Sequence, residues 1–202
     1  MKTITLPFNA LKAARLFVAA KDVRFYLNGV LLRIKDGQSA LVATNGNSLA
    51  AIEAGVTDYL DGQWIIPNAA VDALAKKSSG SVVELTFFEE GDRFELGCYV
   101  GKFLDGKFPD FMRVIPAGDV APDNFQYDPE LLMPFKKAAK ILDGSTQVRV
   151  MPIMNEIGTG GKKYSRGVAR VDIGVAGFVG VIMPWVDKKS WASNYEIPGW
   201  LK

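Results

Sequence analysis

Three stretches of this 202-residue chain open alike: TITLPFNALKAARLFVAA (Thr3–Ala20), GQWIIPNAAVDALAKK (Gly62–Lys77) and NFQYDPELLMPFKKAAKIL (Asn124–Leu142). Each passes from a β-rich run through a proline into residues with the apolar period of a helix. Pro7, Pro67 and Pro129 stand 60 and 62 residues apart. Proline suits the first helical position, because the N–H it lacks has no partner inside the helix. Pro134, inside the third pattern, marks a kink or a late start there.

β-rich runs follow each helix. After the first come RFYLNGVLLRIK (Arg24–Lys35), SALVATN (Ser39–Asn45) and LAAIEAG (Leu49–Gly55). After the second come SVVELTFFEE (Ser81–Glu90) and RFELGCYVGKFL (Arg93–Leu104). After the third come QVRVMPIM (Gln147–Met154), GVARVDIG (Gly167–Gly174) and GFVGVIMPW (Gly177–Trp185). The chain therefore divides into three strand–helix–strands units of about 60 residues, as internal duplication produces. The fold class is α+β. One stretch resists the pattern: DGKFPDFMRVIP (Asp105–Pro116) is too rich in proline for a helix and too apolar for an exposed loop.

Composition narrows the chemistry. With 49% hydrophobic and 23% charged residues the chain can bury a core. It contains no histidine and one cysteine, Cys98. That excludes histidine-based nucleophilic catalysis, an internal disulfide and the usual zinc ligands. Cys98 sits in a strand-like run and reads as a small core residue. Glu89, Glu90 and Asp92 around Gly91 read as a hairpin turn. NEIGTGGKKYS (Asn155–Ser165) reads as a hairpin loop, since its glycines lack phosphate-loop spacing. No cofactor, metal or catalytic residue is expected. A metal-dependent nuclease would need clustered carboxylates that the sequence does not supply. The apolar runs fall short of a membrane span and the N-terminus lacks a secretory pattern, so a cytoplasmic location is expected.

Net charge is only +2, but its placement is uneven. The helical patterns carry Lys12 and Arg15, then Lys76 and Lys77, then Lys136, Lys137 and Lys140, with Asp72 and Glu130 as exceptions. Such a basic face is either simply solvated or turned toward a phosphate backbone.

Four stretches give the chain a resemblance to the bacterial sliding clamp, the beta subunit of DNA polymerase III. KDVRFYLNGVLL (Lys21–Leu32) is similar to the clamp's Asp-Val-Arg-Tyr-Tyr-Leu-Asn-Gly. LVATNGNSLA (Leu41–Ala50) is similar to Val-Ala-Thr-Asp-Gly-His-Arg-Leu-Ala. DGKFPDFMRVIP is similar to Asp-Gly-Arg-Phe-Pro-Asp-Tyr-Arg-Arg-Val-Leu-Pro. GVIMPW (Gly180–Trp185) resembles the clamp's C-terminal Tyr-Val-Val-Met-Pro-Met. The resemblance implies a DNA-clamp fold, with helices on one face of antiparallel sheets. Residues 1–116 would form one domain like the clamp's middle domain, 117–186 half of a domain like the C-terminal half of its last one, and 187–202 an aromatic tail.

The resemblance also implies sites. A shallow apolar cleft for peptides of polymerases and other replication proteins would use Leu27, Thr44, Gly46, Leu49, Pro109, Arg113, Val114, Val181, Met183, Pro184 and Trp185. Duplex DNA would be held without sequence preference by Arg24, Phe25 and Tyr26 together with the helix residues Lys12, Arg15, Lys76, Lys77, Lys136, Lys137 and Lys140. The alternative for the cleft residues is that they only close an interface between domains. The chain departs from the pattern at Asn45-Gly46-Asn47-Ser48, which lacks the clamp's histidine and arginine, and at Trp185. The expected function is that of a sliding-clamp-like processivity accessory. The alternative is a non-encircling peptide-binding module that competes with a host clamp. Three units leave one helix without a sister, so the face of Leu132, Phe135, Ala139 and Leu142 would need cover from the tail or from a second copy of the chain.

Overall fold

In the first unit the strand Lys2–Pro7 (β1) runs directly into the helix Phe8–Arg15 (α1). This is a computed structural model that describes residues 1–75, 80–89, 91–121, 125–154, 156–157, 163–164 and 166–185. Strands Gly29–Lys35 (β2), Gln38–Thr44 (β3) and Ser48–Val56 (β4) complete the unit. The second unit has Gly62–Pro67 (β5), the helix Asn68–Ala75 (α2), Val82–Phe87 (β6), Arg93–Leu96 (β7) and Tyr99–Lys102 (β8). The third has the helix Pro129–Asp143 (α3), Arg149–Pro152 (β9), the short hairpin Glu156–Ile157 (β10) and Lys163–Tyr164 (β11), Ala169–Asp172 (β12) and Phe178–Ile182 (β13).

The prolines occupy two different positions. Pro129 is the first residue of α3, and the Asp128 side chain caps that helix by accepting from Glu130 N. Pro7 and Pro67 instead lie one residue before their helices and end the preceding strands. Their fixed φ fits an extended cap as well as a first turn. Helix α3 starts at Pro129 and continues through Pro134. The bond missing there is the one to Glu130, whose carbonyl lies in the exposed first turn.

Two sheets enclose the helices. One has the order β1-β6-β7-β8 and the other β5-β2-β3-β4-β13-β12-β9. The units exchange their leading strands: β1 pairs with β6 and β5 with β2. The run before α3 was expected to be a strand as well, but no sister unit among the described residues offers it an edge. It is held by the Trp185 N–H donating to Gln126 O (2.7 Å) and the Tyr127 hydroxyl donating to Gly167 O (2.8 Å). Its burial pushes the Tyr127 phenol up to about 12.

The longer sheet runs across the boundary expected at residue 116. Strand β13 pairs antiparallel with β4, setting Val181 opposite Leu49 and Gly180 opposite Ala50. One face of this sheet packs on the helices through Val30, Leu32, Ile34, Leu41, Ala43, Ala50, Ile52 and Ile182. The shorter sheet meets the same core with Ile4, Leu6, Val83, Leu85, Phe94 and Leu96.

The α3 face expected to lack a partner is covered. Phe135 is fully buried and meets Phe17 edge-on at 4.7 Å, and Phe178 lies 6.3 Å from both rings. Ala139 is buried too, while Leu132 and Leu142 are partly buried. Its partner among the described residues is α1 and the end just beyond it. Gly180 makes room for this: a Cβ there would sit 2.7 Å from the Phe135 ring and 2.8 Å from Val171 O.

Cys98 is exposed, in the two-residue turn between β7 and β8, where Leu96 faces Tyr99. Gly97, at φ +55°, opens that turn. The Gly-Cys pair is therefore a hairpin loop that splits the expected single strand in two. Residues 187–202 lie outside the described residues. Among the described residues no helix is long and apolar enough to cross a membrane.

Phe135→Ala should destabilise the fold by about 3–5 kcal/mol, because it empties a fully buried aromatic site that joins two units. Urea unfolding followed by circular dichroism checks this, and a loss below about 1 kcal/mol would show that α3 is not anchored there.

Candidate functional site

The outer face of the seven-stranded sheet, away from the helices, carries Leu31, Val42, Leu49, Ile65 and Val181. Asp105–Pro116 lies against this face. Leu104 N donates to Ile65 O (2.8 Å), and Phe108 (4% exposed) and Phe111 (7%) pack among those side chains. The Arg33 guanidinium stands over the Phe111 ring at 5.9 Å. Phe111–Val114 forms one 3₁₀ turn. The stretch is apolar because it is the second cover of a sheet whose first cover is helical.

The cover is partial. Where it stops, a groove of about 180 Å³ remains. It is lined by Leu27, Thr44, Gly46, Leu49, Pro109, Val114, Val181 and Met183 among others. Val114 is 48% exposed and Met183 40%. Their apolar surface faces the groove, whereas Phe108 is buried beneath it and Phe111, also buried, contributes to its lining.

Each wall has a local cause. Val181 and Met183 arrive on the same side of β13 by strand alternation, and the Met183 N–H donates to Asn47 O (2.8 Å). The adjoining wall is the turn after β3. Asn45 Oδ1 accepts from the backbone N–H groups of Asn47 (2.9 Å) and Ser48 (2.8 Å). The Thr44 hydroxyl accepts from Gly46 N (3.0 Å) and donates to Ser48 O (2.8 Å). Gly46 has φ +92°, and a Cβ there would come within 3.2 Å of Arg24 Nη2. Leu27 belongs to the 3₁₀ turn Phe25–Leu27.

Arg24 also lines this groove; the sequence had grouped it with the helix lysines. Its guanidinium grips Asp22, with Nη2–Oδ2 at 2.7 Å and Nε–Oδ1 at 3.0 Å. These bonds hold the Asp22 carboxyl down at about 2. Phe25 and Tyr26 are likewise on this side, and a Cβ on Gly106 would touch the Phe25 ring at 3.4 Å. The turn that carries these three residues thus lies beside Asp105–Pro116.

Three expected cleft residues do not line the groove. Arg113 is 84% exposed at the side chain and pairs with Asp110 (2.9 Å). Pro184 and Trp185 follow the end of β13 and turn toward Gly167 and Gln126. Asn47, Ser48, Asp110 and Phe111 do line it, although sequence reading did not select them. All four sit within the motifs quoted above, one or two residues from selected positions. Asn47 and Ser48 were passed over because they depart from the pattern.

On the opposite side, Lys136, Lys137 and Lys140 project from α3 and are exposed. Lys12 lies over the Phe8 ring at 4.8 Å. Arg15 forms a two-pronged pair with Asp72 of α2, both distances 2.9 Å. Lys76 and Lys77 lie outside the described residues. Among the described residues no three His, Cys, Asp or Glu side chains gather as metal ligands would.

A family model described as DNA polymerase III beta subunit, central domain, matches residues 7–110. That is more than half of the chain. The chain belongs to this family. It is 38% identical over 104 residues to the beta sliding clamp of Chlamydia pneumoniae, covering 48% of this chain and 28% of that protein. It is 35% identical over 107 residues to that of Pseudomonas aeruginosa, covering 50% and 29%. The chain thus spans under a third of the length of these two beta subunits. The fold is that of solved clamps. The P. aeruginosa sliding clamp superposes with TM-score 0.62 at 20% identity over 91% of this chain and 66% of that one. The Bacillus subtilis clamp gives 0.59 at 15%, over 92% and 64%. The beta-subunit fold accounts for the antiparallel sheets around three helices.

Gly46→Ala should cost about 1–2 kcal/mol, from the left-handed backbone and the crowding of Arg24 together. Thermal unfolding reads this loss; an unchanged melting temperature would mean that neither constraint operates.

Proposed function

We propose that this chain is a sliding-clamp-type accessory of DNA replication. Its groove takes short apolar peptides from a DNA polymerase or another clamp-binding protein, and its helix side rests on duplex DNA. It performs no chemistry; its work is to keep a partner near DNA. The observation that carries this reading is the groove, in which side chains from four distant segments between Leu27 and Met183 converge on one apolar hollow. Half-exposed Val114 and Met183 are free to close on leucine or phenylalanine anchors, while Thr44 and the Asn45–Ser48 turn can orient a peptide backbone.

Peptide affinity tests the groove. A synthetic peptide with leucine and phenylalanine anchors should bind, and Met183→Ala should weaken it by about fivefold or more, with the melting temperature retained. Equal affinity for the two proteins would remove Met183 from the site.

Duplex DNA tests the other face. Neutralising phosphates would make binding independent of sequence and steeply dependent on salt. Replacing Lys136, Lys137 and Lys140 by Gln should flatten the plot of log K against log salt by about 0.9 for each phosphate that the variant no longer neutralises. A second reading, a peptide-binding module that competes with a full-length clamp and does not encircle DNA, draws on the Arg15–Asp72 pair, which neutralises one helix cation. An unchanged salt slope in the triple variant favours it.

A further inference from the structure

The charges at the groove cancel in pairs. Of the described residues lining it, Arg24 is the one cation and Asp110 the one carboxylate. Arg24 is held by Asp22 through two side-chain bonds of 2.7 and 3.0 Å, and Asp22 Oδ1 also accepts the Arg24 backbone N–H (2.8 Å). Asn28 fixes Asp22 from behind: its Oδ1 accepts from Asp22 N and its Nδ2 donates to Asp22 O, both at 2.9 Å. Asp110 is held by Arg113 at 2.9 Å. The Asn45–Ser48 turn, which Arg24 abuts at Gly46, carries no charge of its own, and the Asn45 side chain is spent on the turn itself.

Accepting the peptide-binding reading above, we infer that the groove selects uncharged apolar segments and gives no advantage to acidic ones, and that Asp22 sets this selectivity by withholding Arg24. A peptide carboxylate that reached Arg24 would have to share the guanidinium with a partner already aligned on its Nε and Nη2. It would meet a cation already neutralised and would stand beside a second carboxylate. Discrimination through an opposing charge is a common way to reject a competing ligand. The departures at Asn47 and Ser48 act in the same direction, because neither offers an acidic peptide a cation.

The test compares a leucine- and phenylalanine-anchored peptide having serine at its other positions with twins carrying Asp in place of each serine in turn. Fluorescence polarisation is measured at low salt and again near physiological ionic strength. The protein should bind the neutral peptide and every acidic twin within about twofold of one another at both salts. Asp22→Asn keeps the oxygen that the Arg24 backbone uses and removes the charge. It should favour at least one acidic twin over the neutral peptide by about threefold or more, with the gain shrinking as salt rises. Asn47→Arg, which adds an unpaired cation on the exposed turn, should create the same preference by an independent route. A wild-type preference for an acidic twin, or an unchanged ratio in either variant when folded, overturns the inference while leaving peptide binding intact. If no peptide binds the wild type, the peptide-binding reading itself falls and the inference falls with it.

Discussion

The antiparallel pairing of β13 with β4 is the interaction on which both faces of the molecule depend. Its register places Gly180 and Ile182 toward the helices and Val181 and Met183 toward the groove. Side chains alternate along a strand, so a slip of one residue would exchange the two sets. Val179 and Val181 would then meet Phe135, where only the bare Gly180 backbone now fits. Met183 would leave the groove. The Phe17–Phe135–Phe178 cluster fixes this register from the core side. The Met183–Asn47 hydrogen bond fixes it from the groove side.

A sheet with helices on one face needs something on the other. Leaving Leu31, Val42, Leu49, Ile65 and Val181 in water would forgo roughly 1.5–3 kcal/mol for each large side chain. Asp105–Pro116 supplies most of the missing cover with two phenylalanines and a single 3₁₀ turn. Its prolines keep it from becoming a strand or a helix, so it drapes across the sheet and stops short. The uncovered remainder is the groove. Site and fold are thus two consequences of one incomplete packing layer.

The charged residues follow a similar division. Arg15 with Asp72, Arg24 with Asp22 and Arg113 with Asp110 are surface pairs that add little stability. Their effect is on the field: each removes a cation from what a ligand would meet. The exposed lysines of α3 stand apart from these pairs, and the groove is left nearly neutral.

Much of this was legible in the sequence, for physical reasons that can be traced residue by residue. The proline-marked repeat located three helices and most of the strands, because apolar period is a local property. The quoted motifs located the groove through Leu27, Thr44, Leu49, Val114 and Met183, because each lies within a short stretch of recognisable spacing. Arg24's place at the groove was not read from the sequence because its side chain answers to Asp22 and Gly46, neighbours whose geometry no spacing reveals. Cys98 was misread because strand-like composition continues unbroken through a two-residue turn. The cover over α3 was missed because it comes from Phe17, a residue more than a hundred positions away that lies beyond the end of its own helix. The sequence by itself determined the elements and their family pattern, since those rest on local period and turn chemistry. Which strand joins β4, which arginine faces the groove and what buries Phe135 were decided only by the tertiary structure, because each depends on segments whose separation along the chain carries no information about their meeting.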